Sequence, residues 1–177
     1  TFYEENVETF TVSMEVTHLE SVESMVKQGR EFSKVDKHVL VKVPLTQDGL
    51  KAVKILSDEN INCNVTLCFS ASQALLAAKA GAWCVSPFVG RVDDEGWDGT
   101  QLLKDIKQVF VNYDIETKIL AASIRSVNHA HQAMLLGVDM MTMPQSIFDK
   151  MYYNPLTDIG LEKFESDWKE YQKNANK

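Results

Sequence analysis

The sequence predicts an α/β fold, specifically a (β/α)8 barrel with about six of the eight units present and a C-terminal helix. Three observations carry this expectation. Short β-branched runs alternate with amphipathic stretches at a repeat of about 25 residues. Strands separated by helices need crossover connections, and so form a parallel sheet. The strands are apolar in near-continuous runs, as required of a sheet covered on both faces. The length of 177 residues suits one domain. Residues 1–177 therefore read as a single partial barrel, with 156–175 as its C-terminal helix.

Each unit has its own signal. Thr9–Val16 alternates as a strand, and Leu19–Phe32 follows as a helix. His38–Val43 is a strand, and Gln47–Glu59 a helix with Leu50, Val53, Ile55 and Leu56 on its expected buried face. Ile61–Cys68 is a strand; Ser70–Ala80 is an Ala-rich helix that Gly81 terminates. Trp83–Pro87 is a short strand, followed by a polar loop over Gly90–Gly99. Thr100–Tyr113 is helical, Thr117–Ala122 extended, and Ser126–Leu136 helical up to Gly137. Met140–Met143 is a very short strand. Pro144 opens a short helix over Gln145–Met151, and Leu156–Ala175 forms the last and longest helix.

A doubly wound open sheet is the competing architecture. In both, chemistry gathers at the C-terminal ends of the strands. Polar candidates come from at least five strands here: Ser13 and Glu15, Lys42, Asn64 and Thr66, Ser86, Ser123 and Arg125. A barrel brings every strand to one mouth, whereas an open sheet concentrates ligands at one switch point. No GxGxxG or Walker A pattern occurs, which weighs against a nucleotide-binding open sheet. The barrel is favoured, and its two further units would lie before Thr1.

Composition excludes several classes. Apolar residues make up 45% and charged residues 24%, which fits a packed core and not a disordered chain. The net charge of −7 disfavours nucleic acid as a partner. No apolar run approaches the roughly 20 residues that span a bilayer, so no membrane partner is expected. Thr1-Phe2-Tyr3-Glu4-Glu5 has neither the basic start nor the apolar core of a signal peptide. Cys63, Cys68 and Cys84 show no CxxC spacing and read as reduced core thiols, so a cytoplasmic protein without a metal site is expected.

Lys42 is the sharpest single feature. It interrupts Val39-Leu40-Val41-Lys42-Val43-Pro44. A lysine in a buried strand is costly without a role. Desolvation favours its neutral amine, the nucleophile that attacks carbonyls. The alternative is a lysine that snorkels, or one paired with Glu15. Glu15 could relay protons or serve only as that ion partner. Asn64 and Thr66 would orient such groups or simply be satisfied locally. Arg91 and Arg125 follow strands at the rim where barrels bind phosphate, and arginine forks suit phosphate oxygens. A solvated salt bridge is the plainer reading of either one. Asp93, Asp94, Glu95 and Asp98 read as a solvated acidic loop rather than a metal site. His129 and His131 are two apart on a helix and do not share a face. Phe164, Trp168 and Tyr171 form a helical stripe that must pack on something.

Four segments carry a family resemblance: Val41-Lys42-Val43-Pro44 with Gly49-Leu50-Lys51-Ala52-Val53; Cys63-Asn64-Val65-Thr66-Leu67-Cys68-Phe69-Ser70 with Gln73-Ala74; Ser86-Pro87-Phe88-Val89-Gly90-Arg91; and Leu120-Ala121-Ala122-Ser123-Ile124-Arg125. In this order, from about Phe10 to the end, the chain resembles the transaldolase family, its small single-domain branch most closely. The resemblance implies a barrel of the class I aldolase type that needs no cofactor. Lys42 would form a Schiff base with a ketose phosphate, the C3–C4 bond would break, and a dihydroxyacetone unit would pass to an aldose phosphate. Glu15 would act through a bound water that Thr66 helps to hold. Asn64 and Ser86 would contact the substrate, and Arg91, Ser123 and Arg125 its phosphate. Phe88 stands where the related fructose-6-phosphate aldolases carry tyrosine. Having no hydroxyl to protonate the enamine, it favours transfer over cleavage. By analogy the chain is expected to be a homo-oligomer, a ring in which the Leu156–Ala175 helix crosses a subunit boundary.

The sequence departs from the pattern in one respect. The family's DTA-type and TTNP-type segments, on its first two strands, are absent from it. No acid/base aspartate for the C4 hydroxyl can be assigned. The expectation is an incomplete barrel with exposed strand edges, poorly stable or inactive unless a partner supplies the missing units. The rival readings are a fructose-6-phosphate aldolase and a non-catalytic protein that binds sugar phosphates.

Overall fold

A computed structural model describes residues 11–175. Among the described residues, those up to Met143 form one compact unit and those from Pro144 a second. The first unit is a single curled sheet of six parallel strands in sequential order: β1 (Val12–Glu15), β2 (Val39–Pro44), β3 (Cys63–Cys68), β4 (Cys84–Pro87), β5 (Lys118–Ala121) and β6 (Met140–Met141). Each strand pairs with the next in sequence, so the described strands contain no reversal of order of the kind a doubly wound sheet shows. This is the partial-barrel arrangement. Thr9 and Phe10, expected in the first strand, lie outside the described residues.

The helices between these strands are α1 (Val22–Phe32), α2 (Gln47–Asp58), α3 (Ala71–Lys79), α4 (Val89–Asp94), α5 (Gly99–Asn112) and α6 (Val127–Leu135). Their starts are set by local hydrogen bonding. Ser21, Thr46, Ser70 and Ser126 each accept a backbone N–H from three residues further on, and Asp98 accepts from Thr100 and Gln101. Gly81 and Gly137, at φ of 91° and 62°, follow the ends of α3 and α6, as expected of C-terminal glycines.

The core lies between the sheet and these helices. Val41, Val43, Val65, Val85 and Ile119 project from the strands and are buried. Met25, Val53, Leu56, Leu103 and Ile106 cover them from the helices. Strand alternation then sends the intervening residues to the opposite face.

Two expectations need correction. The stretch Gly90–Gly99 is not simply a polar loop, because Val89–Asp94 is the helix α4. Val89 and Val92 are buried by it, while its charged residues face out. Ile55 is not on the buried face of α2. That face is Gly49, Ala52, Val53 and Leu56, and Ile55 is 39% exposed. At about 100° per residue, Gly49, Ala52, Val53 and Leu56 share an arc of about 100°, and Ile55 falls about 60° outside it.

The second unit holds α7 (Gln145–Tyr152) and α8 (Pro155–Ala175). α8 buries no residue along its length. No described helix is long and apolar enough to cross a membrane.

The assignment of α2's faces is testable in urea. Leu56→Ala should lower the unfolding free energy by about 2–5 kcal/mol, because it empties a fully buried position. Ile55→Ala should change it by only about 0.5 kcal/mol. Equal losses at the two positions would show that α2 is rotated from the orientation described.

Candidate active site

The inner face of the sheet is polar where its outer face is apolar. Ser13, Glu15, Lys42, Asn64, Ser86, Phe88 and Ser123 line one cavity of about 610 Å³, together with Leu120, Ala122, Met140 and Thr142. The strand register produces this cluster. Glu15 pairs with Lys42, and Lys42 with Asn64, across successive parallel strands. Three residues far apart in sequence thus stand in one row.

Two hydrogen-bonded groups share the cavity. Lys42 Nζ donates to Glu15 Oε2 at 3.0 Å. Both ends reach solvent, with 26% of the Lys42 side chain and 49% of the Glu15 side chain exposed. The flanking Val41 and Val43 are fully buried, so the lysine's backbone is fixed while its amine faces the cavity. The second group runs across three strands. Ser86 Oγ donates to Asn64 Oδ1 at 2.6 Å, and Asn64 Nδ2 donates to Ser13 Oγ at 3.0 Å.

Burial singles out the same region. Asn64, Thr66 and Ser86 are the buried polar side chains among the described residues. Two of them satisfy each other. The third, Thr66, has its Oγ1 sealed from solvent without a hydrogen-bond partner. An unpaired buried hydroxyl costs stability, and a native site that keeps one calls for an explanation. Thr66 shares the face of Asn64, two residues further along β3. Leu67, next to it, adopts φ of 58° where the register between β3 and β4 shifts. This bulge ends the regular ladder beside the site.

The rim is more tied down than the sequence suggests. Arg91 does not line the cavity; its guanidinium lies over the Phe88 ring, 4.9 Å from the centroid. Phe88 in turn packs edge-on against Phe69. Arg125 is also outside the lining and donates through Nη1 to Asp94. That hydrogen bond raises the Arg125 pKa above its ordinary value. Asp93 accepts from the Gly99 N–H at 2.9 Å and pairs with His129 Nε2 at 2.9 Å. The acidic stretch is therefore not merely solvated. Asp93 and Asp94 hold the segment after β5, and Asp98 caps α5.

Sequence reasoning gave Ser13 no role of its own and missed the pairs of Asp93 and Asp94. The period-two spacing of Ser13 and Glu15 was the available signal for the first. The aspartate pairs join segments 31 residues apart in the case of Arg125, and no local pattern reports them.

Cys63, Cys68 and Cys84 are buried free thiols. Burial pushes each pKa up to about 12, so they are not nucleophiles near neutrality. No group of three or more His, Cys, Asp or Glu among the described residues could hold a metal ion. A larger groove of about 1060 Å³ lies outside the sheet, lined by Leu50, Ile55 and Leu76 with lysines beside them. It contains none of the buried polar groups.

Residues 3–175 match the family described as Transaldolase/Fructose-6-phosphate aldolase. The chain belongs to that family. A probable transaldolase of Kosmotoga olearia is 53% identical over 162 residues, which are 92% of this chain and 74% of the relative. One of Roseobacter denitrificans is 55% identical over 157 residues, 89% of this chain and 72% of the relative. One of Caulobacter vibrioides is 50% identical over 148 residues, 84% and 68%. A solved crystal structure of mandelate oxidase resembles the chain at a TM-score of 0.55 and 14% identity. That likeness covers 75% of this chain and 49% of the oxidase, and is one of fold alone. In this member of the transaldolase/fructose-6-phosphate aldolase family, Lys42, Asn64 and Ser86 stand around one cavity.

Thr66 offers a direct test. Thr66→Val replaces an orphaned hydroxyl by a methyl of similar size, and should raise the unfolding free energy by about 1 kcal/mol. Urea denaturation reads this. A loss of stability instead would mean that the hydroxyl is satisfied in solution.

Proposed function

We propose that the chain is a transaldolase of the class I, Schiff-base type. The observation that carries this reading is the Lys42 amine, 3.0 Å from the Glu15 carboxylate, in a cavity walled by Asn64, Ser86 and Phe88. A lysine amine that has lost its proton attacks the C2 carbonyl of a ketose phosphate, and water leaves to form a protonated imine. The imine withdraws the electron pair of the C3–C4 bond as that bond breaks, and the C4 hydroxyl, which becomes the aldehyde, gives its proton through water to Glu15. An aldose phosphate departs and a three-carbon enamine stays on Lys42. The enamine carbon then attacks the aldehyde carbon of a second aldose phosphate, and hydrolysis releases the new ketose phosphate.

In this reading Glu15 accepts the proton that Lys42 gives up, and later moves protons through water. Thr66 holds that water, which gives its unpaired hydroxyl a purpose. The linked Ser13, Asn64 and Ser86 have fixed orientations and bind substrate hydroxyls. Ser123 lines the cavity, the segment carrying Arg91 is bonded to it through Gly90 N, and Ser123, Arg91 and Arg125 bind the phosphate in this reading. Phe88 walls the cavity with no hydroxyl to give, so the enamine waits for an acceptor. This favours transfer over release of free dihydroxyacetone. The sugar-phosphate reaction belongs to the pentose phosphate pathway in the cytoplasm.

Borohydride reduction in the presence of fructose 6-phosphate should fix a three-carbon adduct on Lys42, mapped by mass spectrometry, and Lys42→Met should abolish it. Little free dihydroxyacetone should appear without an acceptor. Abundant release would instead favour a fructose-6-phosphate aldolase. Phosphate binding without any adduct would favour a non-catalytic protein.

A second copy of the chain is the proposed partner. Leu156, Ile159, Phe164, Trp168 and Tyr171 are each more than half exposed on α8. An apolar stripe of this extent is usually an interaction surface. Sedimentation equilibrium should show an oligomer, and the double change Phe164→Glu with Trp168→Glu should shift it toward monomer. An unchanged mass would exclude α8 from the interface.

A further inference from the structure

Arg125 meets the rest of the chain in a way that the proposed phosphate pocket does not by itself explain. Its stem lies on a glycine: a Cβ added to Gly90 would come within 2.8 Å of Arg125 Cδ and 2.5 Å of the Ser123 carbonyl oxygen. Gly90 N donates to that same carbonyl at 3.0 Å, and Ser123 bends the chain there with φ of 58°. One helical turn beyond Gly90 on α4, Asp94 accepts from Arg125 Nη1. Asp94 is the one acceptor of that side chain among the described residues. A guanidinium has five N–H donors in a fixed fork, so one bond to Asp94 leaves an edge of the fork for another anion.

Asp93, the neighbouring residue, has a different task. It bonds the Gly99 N–H and the His129 ring, whose side chain is only 16% exposed. His129 Nδ1 faces the Arg125 backbone N–H at 3.4 Å. Asp93 therefore anchors the backbone of the segment after β5, and Asp94 reaches its guanidinium.

Building on the transaldolase reading, we propose that Asp94 is a positioning residue for the phosphate pocket: it holds the Arg125 guanidinium at the rim with one edge of its fork free for the substrate phosphate. A long arginine free in solvent would lose rotamer freedom on each binding event, and a carboxylate that orients it beforehand removes part of that cost. Asp94 also repels a phosphate. It is about half exposed, however, so water weakens its field, and the arginine's own charge stands between the two anions. Orientation outweighs repulsion in this arrangement.

The test compares Asp94→Ala, Asp94→Glu and Arg125→Ala with the unmodified chain, using fructose 6-phosphate and unphosphorylated fructose as donors. Asp94→Ala should raise KM for fructose 6-phosphate on the order of two- to fivefold, the range expected of an exposed ion pair. Its kcat should change less than KM, and KM for fructose should not move. Asp94→Glu should recover most of the loss. A merely structural role would instead lower kcat and raise KM for both donors alike. An unchanged or lower KM for fructose 6-phosphate in Asp94→Ala, beside a raised one in Arg125→Ala, overturns this proposal and leaves the phosphate pocket standing. An unchanged KM in Arg125→Ala overturns the pocket itself, and the proposal with it. Asp94→Asn keeps the side chain's shape while removing its charge, and replaces Asp94→Ala if a thermal melt shows that variant unfolded.

Discussion

Everything at the site depends on one geometric constraint: in a sheet covered by helices, each strand residue has either the helix layer or the inner face as its environment. Val41 and Val43 take the first, and Lys42 between them is thereby committed to the second. The same alternation in β3 sends Cys63 and Val65 outward and Asn64 and Thr66 inward. Moving any strand by one residue would exchange these sets, exposing the core and burying the polar row. Core packing therefore fixes the register, and the register places Glu15, Lys42 and Asn64 side by side. The stability of the fold and the assembly of the site are the same alignment seen from two faces.

Where the strands end, close backbone approach takes over from alternation. A Cβ at Gly99 would lie 2.2 Å from the Val89 carbonyl oxygen, and one at Gly90 would meet Ser123. These two glycines let α4 lie against both the start of α5 and the turn after β5. The backbone bonds Val89 N to Ala122 O and Gly90 N to Ser123 O close the same junction. Phe88 bridges to Ala122 just before it and supports Arg91 from below. The arginines thus stand at a braced corner, with their charged ends left to the rim.

The parts legible in the sequence were those encoded by short-range periodicity. β2, with its apolar run interrupted once, gave both a strand and the exceptional lysine. Asn64, Thr66 and Ser86 were readable as strand-end polar groups, and they are the buried polar side chains of the described residues. The α4 helix was not readable, because Val89–Asp94 is shorter than two full helical turns and shows too little periodicity. The apolar set Leu50, Val53, Ile55 and Leu56 predicts Ile55 on the buried face of α2, although its angular place turns it outward. The pairings of Asp93 with His129 and of Asp94 with Arg125 were out of reach for another reason. They arise where α4 meets the turn and helix that follow β5, and a sequence pattern within one unit carries no information about that.

Thr66 stands apart from the other buried polar side chains. Every other buried polar side chain described here is paired: Ser86 with Asn64, and Asn64 with Ser13. Thr66 Oγ1 is enclosed and unpaired, next to a bulge whose Leu67 takes a left-handed conformation unfavourable for a non-glycine residue. A valine in place of Thr66 and a regular strand beyond it would both be more stable locally. The two unfavourable features touch in sequence, on the strand whose Asn64 lines the cavity holding Lys42. The Thr66 side chain takes the same face of β3 that Asn64 occupies beside the lysine.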